Sequence, residues 1–445
     1  MTGETFLDGR VALWPGDCRA VIGGFAPGSF DAVVTDPPYA LVSIGKRFGA
    51  DNAAPPQSGG ATGVYARAAA GFMGQRWDTG ETAFAAEFWA EVLRVLKPGG
   101  HVAAFAGTRT YHRLAVAIED AGFEIRDQLA WVYGSGFPKS HDPARAHDKA
   151  LFGAVTDRDG GEALPQSHFA AHWEGFGSAM KPAWEPIVLA RKPLDGTLVD
   201  TLRRHGCGAL NIDGCRVSMS AEDRSKIDGA VYVGSPASVA LGARADDGQD
   251  RVMRPHRNGR WPANLLHDGS EAVMGAFPEA GGQQRAVGPA HGAKASVHCY
   301  GDFGPRDATL PRGDAGSAAR FFYAAKADGG DRIGSRHPTV KPVDLMQWLT
   351  RLVCPPGGRL LDPFAGTGTT GEAAWREGFS AVLIEREAAY CDDIRRRLSI
   401  AGSPSARRAV VATARAARAG GAGEGDLPLF AAGGDGPRTA AGGGR

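Results

Sequence analysis

Metal-ligand spacings are missing from this sequence. Its six cysteines, at 18, 207, 215, 299, 354 and 391, include no Cys-x-x-Cys pair. Cys207 and Cys215 lack a matching second half, which argues against zinc or any other metal site and for buried thiols in a reducing compartment. An excess of charge is missing too: 50 lysines and arginines face 49 aspartates and glutamates, for a net charge of +1. No global field therefore marks a nucleic-acid binder, and any such surface has to come from local clustering. The N-terminus has no basic segment followed by an apolar core, and no apolar run approaches membrane-spanning length. The expectation is a cytoplasmic protein, neither secreted nor membrane-embedded. With 445 residues it has room for two or three domains.

Glycine, by contrast, is plentiful, and one glycine turn stands out from the 64 in the chain. Arg359 to Phe364 reads as a buried strand, broken by Ala365-Gly366-Thr367-Gly368-Thr369-Thr370. A short helix from Gly371 to Glu377 follows, and then a second strand from Phe379 to Ile384 that ends on Glu385. Strand, glycine turn, helix, strand and terminal carboxylate make a nucleotide-binding unit. Gly366 and Gly368 let the backbone turn sharply and approach a ligand, and Glu385 can accept hydrogen bonds from both hydroxyls of a ribose.

Far upstream, the strand Phe30-Asp31-Ala32-Val33-Val34-Thr35 runs into Asp36-Pro37-Pro38-Tyr39. Here the chain resembles the amino-methylating DNA methyltransferases, whose catalytic motif is (Asp/Asn/Ser)-Pro-Pro-(Tyr/Phe). The order, catalytic motif first and Phe-Ala-Gly-Thr-Gly-Thr-Thr last, is similar to their circularly permuted β class. The resemblance covers residues 9 to about 135 and 320 to 398. His337-Pro338-Thr339-Val340-Lys341-Pro342 adds to it, being similar to the segment that precedes the cofactor loop in that class.

What the resemblance implies is a Rossmann-like α/β methyltransferase fold using S-adenosyl-L-methionine, with no resident metal. Its catalytic set is Asp36, Pro37, Pro38 and Tyr39. Its cofactor set is Asp17, Thr339, Lys341, Asp362, Phe364, Gly366, Thr367, Gly368, Thr369, Thr370 and Glu385. Asp17 is placed by the adenine, and Lys341 or the backbone near Thr339 by the methionine carboxylate. Asp17 reads equally as a turn-former, and the Lys341 segment equally as a helix entry with Pro342 in its first turn. The motif suits the chemistry, because an exocyclic amine is a poor nucleophile whose lone pair is delocalised into the ring. Asp36 and the Pro37 carbonyl form an acceptor pair held rigidly by the two prolines, and Tyr39 offers a flat face for a flipped base. Asp-Pro-Pro-Tyr leans by family toward adenine N6. Cytosine N4, RNA, and a cofactor-dependent DNA binder without turnover stay open.

Alternating helices and strands (helices Thr82 to Leu96 and Thr110 to Ala121, strands His101 to Phe105 and Phe123 to Val132) predict a parallel sheet. Its pocket should lie at the strand ends, near Asp36, Phe105 and Phe364. Residues 123–133 and 186–192 read as a terminal antiparallel hairpin with 134–185 inserted, and Trp131 and Tyr133 suit either a wall of the base pocket or plain core. The division that follows is 1–195 catalytic, 196–318 target recognition, 319–400 cofactor binding and 401–445 a disordered tail. No helical period persists in 196–318.

Residues 40–80 read as a loop closing over base and duplex DNA, with Arg76 and Trp77 as contacts. Arg254, Arg257 and Arg260, with Arg251, cluster where they could bond phosphate or guanine, although Asp246, Asp247 and Asp250 just precede them. Leu427, Leu429 and Phe430 in the tail resemble the peptide by which bacterial proteins dock on the replication sliding clamp, with Asp426 in place of its glutamine. A homodimer is a further expectation from the family, as is a bacterial or phage setting with a place in restriction-modification.

Overall fold

The computed structural model describes residues 3–39, 80–136, 140–153, 167–227, 231–232, 251–252, 256–280, 316–325, 330–335, 337, 339–403, 405–406 and 409. Arg76, Trp77, Arg254, Leu427, Leu429 and Phe430 lie outside the described residues, as do most of the loop and tail that carry them.

Ten strands join in one sheet. They are β1 (Glu4–Phe6), β2 (Val11–Pro15), β3 (Phe30–Thr35), β4 (Leu96–Phe105) and β5 (Glu124–Val132). The rest are β6 (Trp184–Arg191), β7 (Leu265–His267), β8 (Tyr323–Ala324), β9 (Arg359–Asp362) and β10 (Ser380–Glu385). Their order in space is β1-β2-β10-β9-β3-β4-β6-β5-β7-β8. From β2 to β4 neighbouring strands are parallel, and β6 runs against both of its neighbours.

β3 is buried at every position, the pattern of a parallel strand covered on both faces. Side chains divide by parity, since successive strand residues point to opposite faces. Ala32, Val34, Ala381 and Leu383 join one core layer, while Val33, Val382 and Ile384 join the other. The first layer is closed by α5 (Val343–Val353), α6 (Thr369–Arg376) and α7 (Ala388–Ala401). The second is closed by α1 (Cys18–Ile22), α2 (Ala86–Val95) and α3 (Tyr111–Asp120). In α5, eight of eleven residues are buried, so packing more than helix propensity holds it.

Several expected boundaries move. α2 begins at Ala86 rather than Thr82, after a turn at 81–84. β4 begins at Leu96, with Lys97-Pro98-Gly99-Gly100 carried inside it as an irregularity in its pairing with β3. Gly99 has φ +82°, and a Cβ there would lie 2.8 Å from Thr201 Cγ2, so the glycine makes room for a later helix. That helix, α4 (Leu198–His205), corrects the expectation that no helical period persists in 196–318. Thr197 and Asp200 form a reciprocal capping box at its start, and Gly206 ends it in the left-handed region.

The antiparallel pairing of β5 with β6 is present, but Trp184 and Glu185 belong to β6, so 133–183 rather than 134–185 lies between the strands, and the hairpin is not terminal. β7 pairs with the outer edge of β5 at Ala130 and Leu265, and β8 follows it. The exposed edge of β5 is thereby covered by residues expected to belong to a separate recognition unit.

Candidate active site

The strand order reverses between β9 and β3: the chain leaves β3 toward β4 on one side and β9 toward β10 on the other. Open α/β sheets bind ligands at the carboxyl ends of strands beside such a switch point. A cleft of about 1330 Å3, including its open mouth, lies there. Asp36 and Tyr39 line it from the end of β3, Phe364 and Gly366 from the end of β9, and Glu385 from the end of β10.

The glycine wall is built locally. Gly366 and Gly368 have φ of +52° and +77°, which glycine adopts without a steric penalty. A Cβ on Gly366 would meet the His337 imidazole at 3.4 Å. Gly371 is the third glycine of a Gly-x-Gly-x-x-Gly pattern that the sequence displayed in full, and its role was missed. A Cβ there would sit 2.6 Å from Leu383, so it sets how closely α6 approaches β10. Glu385 Oε2 accepts from Gly366 N–H and Oε1 from Glu387 N–H, both at 2.8 Å. A carboxylate has about four acceptor positions, so two remain for a vicinal diol. Burial pushes the Glu385 carboxyl up to about 7. Asp362 Oδ1 accepts from Thr35 Oγ1 (2.7 Å) and Phe364 N–H (3.1 Å), tying β9 to β3, and burial raises its carboxyl to about 6.

Beneath the loop lies Arg397 of α7, fully buried. Its guanidinium donates to the Thr367 carbonyl (2.7 Å), to Glu372 Oε2 (2.9 Å) and to the Asp331 carbonyl (2.5 Å). A rigid planar fork suits this task, since it fixes several acceptors at once. The charge pattern of α7 gave no sign that this arginine, among Arg395 and Arg396, would be the one turned inward.

The Asp36 wall is assembled from distant segments. Lys341 Nζ, almost fully buried, donates to Asp36 Oδ2 at 2.5 Å and to Tyr39 Oη at 3.2 Å, and pairs with Glu185 Oε2 at 3.2 Å. It also lies 4.8 Å from the Phe105 ring centre. Burial lowers the lysine pKa, but the two carboxylates, Asp36 first, outweigh that and hold it above the usual value. This corrects the placement of Lys341 at a cofactor carboxylate, because all three of its N–H bonds have acceptors inside the protein. Tyr39 donates its hydroxyl proton to Glu185 Oε2 at 2.9 Å, and burial raises its pKa further. Burial likewise raises the Glu185 carboxyl. Asp36 Oδ1, by contrast, is buried with no hydrogen-bond partner among the described residues. Glu185 was the residue sequence reasoning passed over; its signal was a carboxylate at the head of an otherwise apolar strand.

Other expected residues fall variously. Thr339 lines the cleft, but its carbonyl is engaged by His337 Nδ1. Thr367, Thr369 and Thr370 line the cleft at the turn into α6. Asp17 lines it as well and caps α1, accepting from Arg19 N–H at 2.9 Å, and the Arg19 guanidinium keeps its carboxyl below the usual range. Trp131 and Tyr133 are not at the cleft: both are buried in the core, their rings 5.2 Å apart. Arg257 is exposed. Arg260 is mostly buried, pairs with Asp223 at 2.8 Å and lies over Phe321, so its guanidinium is engaged within the protein. No group of three or more potential metal ligands occurs among the described residues.

The family model for DNA methylases (N6_N4_Mtase) matches residues 30–396. The chain belongs to that family. Type II methyltransferase M.HindIII of Haemophilus influenzae is 36% identical over 129 residues, 28% of this chain and 37% of that enzyme. Type II methyltransferase M2.DpnII of Streptococcus pneumoniae is 37% identical over 68 residues, 15% of this chain and 25% of that one. The alignments thus span about a third and a quarter of these curated relatives. Among solved structures, the cytosine-N4-specific PvuII DNA methyltransferase aligns with 92% of this chain and 94% of its own, at 13% identity and a TM-score of 0.37. Among the described residues no helix is long and apolar enough to cross a membrane.

Proposed function

We propose that this methylase transfers a methyl group from S-adenosylmethionine to an exocyclic amino nitrogen of a base in double-stranded DNA, and that the base is adenine. The observation that carries the reading is Asp36 Oδ1, a buried acceptor without a partner, in the cleft that also holds Gly366 and Glu385. An unpaired buried acceptor costs roughly 1–3 kcal/mol, and its retention at a ligand cleft argues for a donor that arrives with the substrate.

The residues fit the cofactor. Glu385 keeps two acceptor positions for ribose hydroxyls, Gly366 brings backbone close to it, Gly368 turns the loop against Ile394 of the core, and Phe364 and Asp17 line the same cleft. When bound, S-adenosylmethionine supplies a methyl carbon made electrophilic by its sulfonium. The chain supplies the rest. Asp36 Oδ1 and the Pro37 carbonyl accept the two N–H bonds of the amine, which draws nitrogen away from planarity and frees its lone pair. Pro37 and Pro38 hold those acceptors with little reorganisation. Tyr39, its hydroxyl fixed on Glu185, presents its ring to a base turned out of the duplex. In this reading residues 196–318 read the target, with Arg257 among the contacts.

The test is incubation of the purified protein with methyl-deuterated cofactor and, in separate reactions, unmodified duplex DNA and unmodified RNA, followed by mass spectrometry of the nucleosides. Labelled N6-methyladenine is expected. Labelled N4-methylcytosine would transfer the assignment to cytosine, label recovered from RNA alone would transfer it to RNA, and no labelled nucleoside would sink it.

A further inference from the structure

We infer that Glu185, which lies in neither motif, is a positioning residue for methyl transfer: it draws the donors of Lys341 and Tyr39 onto itself and so leaves Asp36 Oδ1 free for the target amine. The inference rests on the proposed methyl transfer.

Donors around Asp36 are the difficulty that this arrangement solves. A carboxylate meant to accept from a substrate amine must not be capped by its own neighbours. Among the described residues, two neighbours hydrogen-bonded in this network could do so: an ammonium with three hydrogens and a phenol with one. Lys341 Nζ gives one hydrogen to Asp36 Oδ2, on the side away from the free oxygen. Its other directions face Tyr39 Oη and Glu185 Oε2, each at 3.2 Å. The Tyr39 hydroxyl donates to the same Glu185 oxygen at 2.9 Å. Glu185 Oε2 is therefore the shared acceptor for both.

Glu185 is itself held: it pairs with Trp131 across β5 and β6, and its side chain is almost wholly buried. It cannot swing to solvent and take its acceptor with it. Without that acceptor, the Tyr39 proton and one Lys341 proton would face Asp36 as the nearest remaining carboxylate. With the Lys341 ammonium and the Tyr39 hydroxyl engaged by Asp36 Oδ2 and Glu185 Oε2, the donors of this network have fixed directions, and Asp36 Oδ1 is the acceptor left over. Glu185 touches neither substrate nor cofactor in this scheme; it acts through Lys341 and Tyr39.

The experiment is a double-mutant cycle of Glu185→Gln with Tyr39→Phe, read by single-turnover methyl transfer to duplex DNA and by calorimetric cofactor affinity. Tyr39→Phe keeps the ring and deletes the proton that would turn onto Asp36. Glu185→Gln is expected to slow transfer about tenfold or more in the wild-type background, and by clearly less beside Tyr39→Phe. Cofactor Kd should stay within about twofold, since the glycine wall is untouched. Glu185→Asp, which keeps the carboxylate, should recover part of the rate. Equal losses in both backgrounds would overturn the inference, as would a loss of cofactor affinity parallel to the loss of rate. If Glu185→Gln does not fold, Glu185→Asp takes its place in the cycle and must show the same non-additivity. A wild-type enzyme that methylates DNA beside an unimpaired Glu185→Gln refutes this inference alone; a wild-type protein that transfers no methyl group removes the proposed function and this inference with it.

Discussion

The two walls of the cleft are built at different ranges along the chain, and they differ in what they leave open. In the glycine wall, Gly366 N–H meets Glu385 across 19 residues. In the Asp36 wall, Lys341 meets Asp36 across 305 residues and Tyr39 meets Glu185 across 146. The first wall is backbone laid against carboxylate and depends on glycine at a few positions. The second is side chain against side chain and depends on the sheet to bring three segments together. A fixed backbone cradle suits a cofactor that is the same in every turnover. A network with one unpartnered oxygen suits an amine that must be gripped and released.

This contrast breaks most severely at the anchor of the glycine wall. Glu372→Leu would leave the Arg397 guanidinium buried without its carboxylate, at a cost of about 3–5 kcal/mol. A large drop in melting temperature and loss of cofactor binding are expected together; a melting temperature close to wild type would mean that the carbonyls of Thr367 and Asp331 suffice. The Asp36 wall should fail in the opposite manner. Asp36→Ala is expected to cut turnover by roughly 10²–10³-fold while cofactor affinity holds. Equal loss of binding and turnover would show the walls to be one unit.

The same difference in range decides what could be read from the sequence. β9, the glycine turn, α6 and β10 follow one another, so apolar runs and turn residues displayed them with boundary shifts of one or two residues. Asp36 was legible because its motif is contiguous. Glu185 was not, because nothing between residues 39 and 185 encodes that β6 inserts between β4 and β5 and carries Glu185 to Tyr39. Lys341 was placed at the cleft but given the wrong partner for the same reason. Arg397 is hidden in a helix whose other arginines face outward. The strand β7 escaped notice because three residues hold too little pattern, and its existence depends on the open edge of β5.

A milder test uses pH. With the Glu385 carboxyl raised to about 7 by burial, the folded protein holds this proton more tightly than the unfolded chain does. That group's contribution to stability therefore falls as pH rises from the ordinary carboxylate range toward 7, and is flat above it. Cofactor binding through two ribose hydroxyls asks for the ionised form, so affinity should rise over the same interval. Between pH 6 and pH 8 the gain in affinity is expected to be about tenfold. In Glu385→Gln the slope should vanish and affinity be low throughout. A wild-type affinity independent of pH across this range would remove Glu385 from the ribose.

The smallest effects are expected where neither wall reaches, among the arginines between β6 and β7. Arg257 is exposed, whereas Arg260 is bound to Asp223 and stacked on Phe321. If only the exposed residue meets phosphate, Arg257→Ala should weaken duplex binding a few-fold and lower the salt dependence of log K by about one unit. Arg260→Ala should leave that slope unchanged and instead lower the melting temperature, because Asp223 would lose its partner in a half-closed site. Anisotropy titrations of both variants across a salt series separate the two. A reduced slope for Arg260→Ala with none for Arg257→Ala would mean that the Asp223 pair opens on binding, and that the arginine read as interior is the one that meets DNA.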